Sequence, residues 1–127
     1  MTKYQSLFEQ FNEAVQGLDS VLKQPKNEFI RDSAIKRFEL VFDLSWKTIK
    51  AFCEEAKGIR CASPVSCFKE AYQQELIEYN DAWVKDLTEM RNKTVHTYDE
   101  QLAEEVYEKL PATLVLFHEL VEKLKSQ

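Results

Sequence analysis

Only 2 glycines and 3 prolines interrupt these 127 residues, and that scarcity of turn-formers constrains the fold more than any other feature. A chain that reverses often needs residues suited to tight turns. With so few of them it must be built from a small number of long elements. All-β architectures, which turn every few residues, are disfavoured. The length suits a single domain, 1–127, and 44% hydrophobic residues, 12% of the chain being aromatic, are enough for a real core.

Apolar periodicity then places the elements. Residues 3–23 predict a first helix, because Leu7, Phe8, Phe11, Val15, Leu18, Val21 and Leu22 recur at three- and four-residue steps. Gly17 interrupts it at a cost of about 1 kcal/mol relative to alanine, and Gln24-Pro25-Lys26-Asn27 stops it. A second helix is expected over 28–57, on the order of 45 Å long if straight. Its apolar face carries Ala34, Ile35, Phe38, Val41, Phe42, Ser45, Trp46, Ile49, Phe52 and Cys53. Its polar face carries Asp32, Lys36, Glu39, Asp43, Lys47, Lys50 and Glu54, with acid-before-base spacings at Asp32–Lys36 and Asp43–Lys47. Gly58 sits where a left-handed C-cap belongs.

Ser63-Pro64 starts a third helix, expected to reach Leu76 with Cys67, Phe68, Ala71 and Tyr72 on its core side. Asn80 or Asp81 caps a fourth, whose stripe is Trp83, Leu87, Met90 and Thr94. Asp99 caps a fifth that runs to the C-terminus, with Pro111 expected to kink or split it near Tyr107. The fold class is therefore all-α: an antiparallel, up-and-down, four-helix-type bundle with one additional short helix.

Charge and hydropathy narrow the function classes. A net charge of -5 and a pI near 5.1 describe a solvated surface with both signs mixed, not a basic nucleic-acid coat. RNA binding would need a local basic patch. No run of about 18 apolar residues exists to span a membrane, and the N-terminus lacks an apolar signal core, so a cytoplasmic location is expected. Cys53, Cys61 and Cys67 form no CxxC pair and no even-numbered framework; reduced thiols with packing roles are the expectation. A metal set of Cys61, Cys67 and a histidine has nothing else to support it, and no cofactor is called for.

One segment resists a surface explanation. Met90-Arg91-Asn92-Lys93-Thr94-Val95-His96-Thr97-Tyr98-Asp99 gathers Arg, Asn, Lys, His and Tyr at one helix end, and only 2 histidines exist in the chain. Histidine moves protons near neutral pH; arginine is a permanent forked cation suited to phosphate. Together they suit phosphodiester chemistry, and on RNA the ribose 2′-hydroxyl would be an internal nucleophile that needs no metal. Five helical steps turn by about 500°, so on an unbroken helix Arg91 and His96 would point about 140° apart. They converge only if the helix ends between them or a second protomer supplies the complement. The structural reading of the same residues is that Arg91 pairs with an acid and His96 caps a helix end.

The segment also carries a resemblance. Arg91, four residues, His96, one residue, then Tyr98 resembles the signature of HEPN domains. Helix two adds Arg31-Asp32-Ser33-Ala34-Ile35-Lys36-Arg37-Phe38-Glu39-Leu40, then Phe42, Leu44, Trp46 and Lys47, which is similar to the nucleotidyltransferase substrate-binding, HepT-like branch. Together the blocks span nearly the whole chain. The resemblance implies a helical homodimer with the Arg/His motifs facing across a two-fold. It further implies a toxin that cleaves RNA without metal through Arg91 and His96. A minimal nucleotidyltransferase antitoxin of the MntA type would silence it, in some cases by placing AMP on Tyr98. Asn92 and Lys93 join Tyr98 as the residues for modification or binding of RNA or nucleotide. An older description of the branch implies instead a non-catalytic substrate-binding subunit of a two-component nucleotidyltransferase. Transferase chemistry itself has no place here, because the chain lacks a Gly-Ser element and a strand for paired aspartates.

Other polar and aromatic residues have plainer readings. Trp46 and Trp83 could stack a base, but both lie on apolar stripes and read as core. Lys47 and Lys50 could guide phosphate, although alternating charge on a helix usually means a solvated face. Arg37 shares a face with Ile30, Leu40 and Leu44, a setting for a partly buried ion pair or a dimer contact. His118 reads as a core-edge residue, and Ser45 as bonding back to its own helix.

Overall fold

The apolar stripes become five α-helices in a computed structural model that describes residues 1–78 and 81–127. Helix α1 (Lys3–Leu22) begins at a capping box: the Thr2 hydroxyl accepts from the Gln5 amide at 3.1 Å while the Gln5 side chain accepts from the Thr2 amide at 2.9 Å. Its buried line is Phe11, Val15, Leu18 and Val21. Helix α2 (Glu28–Phe52) is capped by Asn27, whose side chain accepts from the Ile30 amide at 2.8 Å.

The second helix does not stay α-helical to residue 57. Its last turn widens into a π-turn, Cys53–Lys57, which Gly58 closes at φ 66°, the left-handed C-cap that glycine takes without a Cβ clash. Helix α3 (Pro64–Gln73) starts as expected from Ser63, with a proline in its first turn. It stops before Leu76 because Glu75 turns left-handed (φ 60°) and the Leu76 amide reaches back to the Ala71 carbonyl at 2.8 Å. That ending still buries the Leu76 side chain completely.

Helix α4 (Asp81–Lys93) runs into a 3-10 turn, Thr94–His96. Asp81 is its first residue, and the alternative cap Asn80 lies outside the described residues. Helix α5 (Glu100–Lys125) is capped by Asp99, which accepts from the amides of Gln101 and Leu102.

Helices α1, α2, α4 and α5 form an up-and-down bundle, with α3 as the short addition. α1 and α2 share the most extensive packing. Phe11 meets Phe117 edge-on at 6.2 Å between α1 and α5. Phe68 of α3 stands between Phe42 of α2 and Trp83 of α4, at 5.8 and 6.1 Å. Each fully buried aromatic or aliphatic side chain here contributes about 1.5–3 kcal/mol through removal from water, so α3 is held by its apolar side as much as by its cap.

Several expectations are corrected. Of the two outcomes expected at Pro111, the split does not occur: α5 is helical throughout Glu100–Lys125. The proline faces solvent, where the carbonyl that loses its bond can be hydrated. Cys61 and Cys67 are joined in a disulfide, leaving only Cys53 as a free, buried thiol. Spacing along the sequence could not show that the 59–63 loop folds back on the first turns of α3. Tyr72 is exposed, not on the core side. The i,i+4 pairs of helix two are replaced by other partners: Asp43 pairs with Arg91, Asp32 with Arg31, and Lys36 with Glu39. Arg37 is exposed and, among the described residues, makes no ion pair. Its guanidinium lies 2.6 Å from where a Cβ on Gly17 would stand, but as the end of an exposed flexible side chain it could move aside.

Candidate functional site

Arg91 sits on the last turn of α4, and the helix ends before His96. After Lys93 the backbone tightens into the 3-10 turn, stabilised by Thr94 and Thr97 hydroxyls that donate to the carbonyls of Arg91 (2.7 Å) and Thr94 (3.0 Å). These local bonds compete with continued α-helix. The α-helix thus ends between residues 91 and 96, as convergence within one subunit would require. No hydrogen bond or ion pair joins the two side chains among the described residues.

The guanidinium of Arg91 is anchored to α2. Its Nε donates to Asp43 Oδ1 at 3.2 Å and its Nη2 to Asp43 Oδ2 at 3.0 Å, a forked pair. Nη1 donates to the Thr94 hydroxyl at 3.0 Å and lies 3.9 Å from a Glu39 carboxylate oxygen. The hydrogen-bonded Asp43 carboxylate raises the Arg91 pKa further, against the opposing effect of partial burial. The side chain keeps 24% of its surface exposed. A forked arginine has five N–H donors, so donors remain for an incoming oxyanion.

His96 and Tyr98 are presented to solvent. The Tyr98 hydroxyl lies 3.4 Å from His96 Nδ1, and the rings meet edge-on at 6.0 Å. Tyr98 is 84% exposed and Val95, beside it, is also exposed. Asn92 is exposed; Lys93 is half-buried in a small cleft with Met90, Glu105, Val106 and Lys109. The structure thus brings His96 to Tyr98, and Arg91 to Asp43 and Thr94.

Two acids and one arginine escaped the sequence reading as parts of this region. Glu39 and Asp43 looked like members of a solvated stripe. Arg31, only 4% exposed, donates from Nε to Asp32 (3.0 Å) and from Nη1 to Glu100 (2.6 Å) and Glu104 (3.1 Å). It thereby ties the start of α2 to the start of α5, directly after Tyr98. Those bonds, led by the one to Glu100, raise its pKa despite desolvation. Lys26 also reaches Glu104 and lies 5.3 Å from the centroid of the Tyr107 ring. The only sequence signal was the odd placement of an arginine beside the apolar stripe.

Elsewhere, Trp46 and Trp83 are both half-buried and pack against the core, Trp83 edge-on to Phe68 and Trp46 beside the α1–α2 groove. Ser45 donates to the Phe42 carbonyl at 2.6 Å. His118 is half-buried, 3.6 Å from Asp19. Among the described residues no three His, Cys, Asp or Glu side chains converge as a metal site, and no helix is long and apolar enough to cross a membrane.

Fold and site together define a helical-bundle protein whose polar determinants collect where its fourth helix ends. The chain belongs to the nucleotidyltransferase substrate binding protein like family, whose model matches residues 1–126. It is similar to the probable ribonuclease HepT of Haemophilus influenzae, 32% identical over 98 residues, which are 74% of this chain and 66% of that relative. A crystal structure from Thermus thermophilus superposes with a TM-score of 0.80 at 29% identity, covering 90% of this chain and 98% of that one. A second, from Haemophilus influenzae, is described as the fold of a substrate binding domain of a nucleotidyltransferase. It superposes with a TM-score of 0.70 at 26% identity, covering 96% of each chain.

Proposed function

We propose that this chain is the RNA-cleaving, HEPN-type half of a two-component toxin–antitoxin pair, active as a homodimer and neutralised by a minimal nucleotidyltransferase. The observation that carries the reading is the end of α4 between Arg91 and His96, which leaves the histidine and Tyr98 exposed in the turn that follows an arginine with donors to spare. Likeness to a probable ribonuclease supports it.

In this reading His96 takes the proton of a ribose 2′-hydroxyl. The 2′-oxygen attacks the adjacent phosphorus, the bond from phosphorus to the 5′-oxygen breaks, and the departing oxygen takes a proton from the imidazolium of His96, directly or through water, leaving a 2′,3′-cyclic phosphate and a 5′-hydroxyl. Arg91, held in place by Asp43, stabilises the added negative charge on the phosphoryl oxygens. A second copy of the chain faces the first across the two-fold, so that each supplies part of the cleft. The partner transfers AMP from ATP to the Tyr98 hydroxyl; the phenolic proton is lost, pyrophosphate leaves, and the bulk and charge beside His96 block the cleft. Asn92 and Lys93 contact the RNA or the nucleotide.

A second reading is favoured by a specific observation: Arg91 already has a carboxylate partner. The chain would then be a non-catalytic subunit presenting substrate to the same partner, as the family description has it. The two are separated by expressing the chain without its partner. Growth arrest relieved by His96→Ala supports the first; unimpaired growth supports the second. Incubation with partner, magnesium and ATP should add AMP masses that Tyr98→Phe abolishes, and an unmodified wild type would remove that step.

A further inference from the structure

The surface between α1 and α2 holds a half-buried indole, Trp46, in a groove lined by three lysines. Trp46, Lys47 and Lys50 of α2 face Lys3 and Leu7 of α1 across a groove of about 210 Å³. Among the described residues, none of the three lysines makes an ion pair or a side-chain hydrogen bond. Glu54 also lines the groove, one turn after Lys50 and in no ion pair with it. Several other lysines of the chain likewise make no ion pair among the described residues, so it is the clustering around one half-buried indole that sets these three apart. In a chain of net charge -5, three lysines against one carboxylate along a groove that also holds an indole form a local positive field opposed to the overall one, suited to a polyanion.

The position along α2 gives the groove a direction. Lys47 and Lys50 follow Asp43, the anchor of Arg91, by four and seven residues on the same face, about 6 and 10 Å further along the axis. A strand lying over Arg91 can therefore continue onto the groove. Aromatic faces stack bases with little regard to identity, and lysines track the backbone phosphates.

We infer that the Trp46 groove is a subsite for single-stranded RNA, with one base stacked on the Trp46 indole and the flanking phosphates held by Lys3, Lys47 and Lys50. The inference rests on RNA as the ligand of the Arg91–His96 site. It is tested by binding alone, so that failure of cleavage and failure of the groove can be told apart.

The probe is a labelled 2′-O-methyl oligouridylate of about ten nucleotides, within the site sizes such grooves cover and lacking the nucleophile for cleavage. Anisotropy should show saturable binding by the full-length chain. Lys47→Gln with Lys50→Gln should weaken it about tenfold at low salt and flatten the slope of log affinity against log salt by about 1.4, the value for two phosphate contacts on a single strand. Trp46→Leu should weaken it by about 5- to 100-fold with the slope unchanged. In a Trp83→Phe background the remaining Trp46 emission should be quenched on binding. Binding of the lysine variant with wild-type affinity and slope would overturn the assignment. So would an absence of wild-type binding, or equal competition by a polyglutamate peptide. Arrest of growth without groove binding would sink the subsite and leave the ribonuclease reading standing; groove binding with no arrest would do the reverse.

Discussion

Asp43 grips Arg91 across the α2–α4 boundary through two parallel hydrogen bonds, Nε to Oδ1 at 3.2 Å and Nη2 to Oδ2 at 3.0 Å. The pair fixes the guanidinium plane and joins two helices that otherwise share little packing surface. Replacing Asp43 by Asn keeps the shape but removes the charge and one acceptor. Unfolding in urea should then require about 1 kcal/mol less, a partly exposed pair being worth more than an isolated surface bridge and far less than a dry one. Any growth inhibition that depends on Arg91 should weaken in parallel. An unchanged urea midpoint would show that the pair adds nothing to stability.

Acid should weaken the junction between α2 and α5. The Glu104 carboxyl is held below the ordinary carboxylate range, first by its bond from Lys26 and then by that from Arg31; Asp19 is lowered in the same way, chiefly by Lys23. A carboxyl with a depressed folded-state pKa contributes stability that is present above its unfolded value and is lost as pH falls through the folded value. Melting temperature should be level from neutrality down to about pH 5 and decline below it. Glu104→Gln should make the decline shallower. A variant with the wild-type slope would contradict the assignment to Glu104.

The Cys61–Cys67 bridge closes a short loop, with a sequence separation of 6, and so restricts the unfolded chain only modestly, by about 2 kcal/mol. Reduction should lower the melting temperature by roughly 4–8 °C for a chain of this size. Thiol titration in denaturant gives a direct count: Cys53 alone in the oxidised protein, all three cysteines after reduction. Three reactive thiols without added reductant would show that the bridge does not form.

Pro111→Ala should stabilise the protein. The proline lies inside α5 with its ring towards solvent, so alanine would restore an amide donor to the Tyr107 carbonyl without disturbing the core. A gain of about 1–3 kcal/mol is expected, up to the full helix-interior penalty of proline. Chemical denaturation measures it, and a loss of stability would mean that the proline itself contributes to packing.

Much of the fold was legible because helices announce themselves locally. The stripes of α1, α2 and α5, the caps Ser63 and Asp99 and the Gly58 stop all depend on residues within one or two turns of each other. The errors lie where a local rule was overruled. Pro111 breaks a rule of isolated helices, but α5 is held on both sides of it by Val106, Leu110, Leu114 and Phe117 in the core. Asp43 and Lys47 had the spacing of a helical pair, yet Asp43 found a forked arginine on another helix. In the site, the identities of Arg91, His96 and Tyr98 could be picked out by their unusual chemistry at one helix end. Their partners could not.

Residue order alone was sufficient for an all-helical bundle and for the segment that gathers its polar chemistry, because periodicity, caps and residue type act over a few positions. Only the tertiary structure decided that Arg91 is held by Asp43, that Arg31 is buried against Glu100 and Glu104, and that Cys61 bonds to Cys67. Arg91 and Asp43 lie 48 residues apart and Arg31 and Glu100 lie 69 apart, and such pairings exist only once packed helices bring their faces within hydrogen-bonding distance.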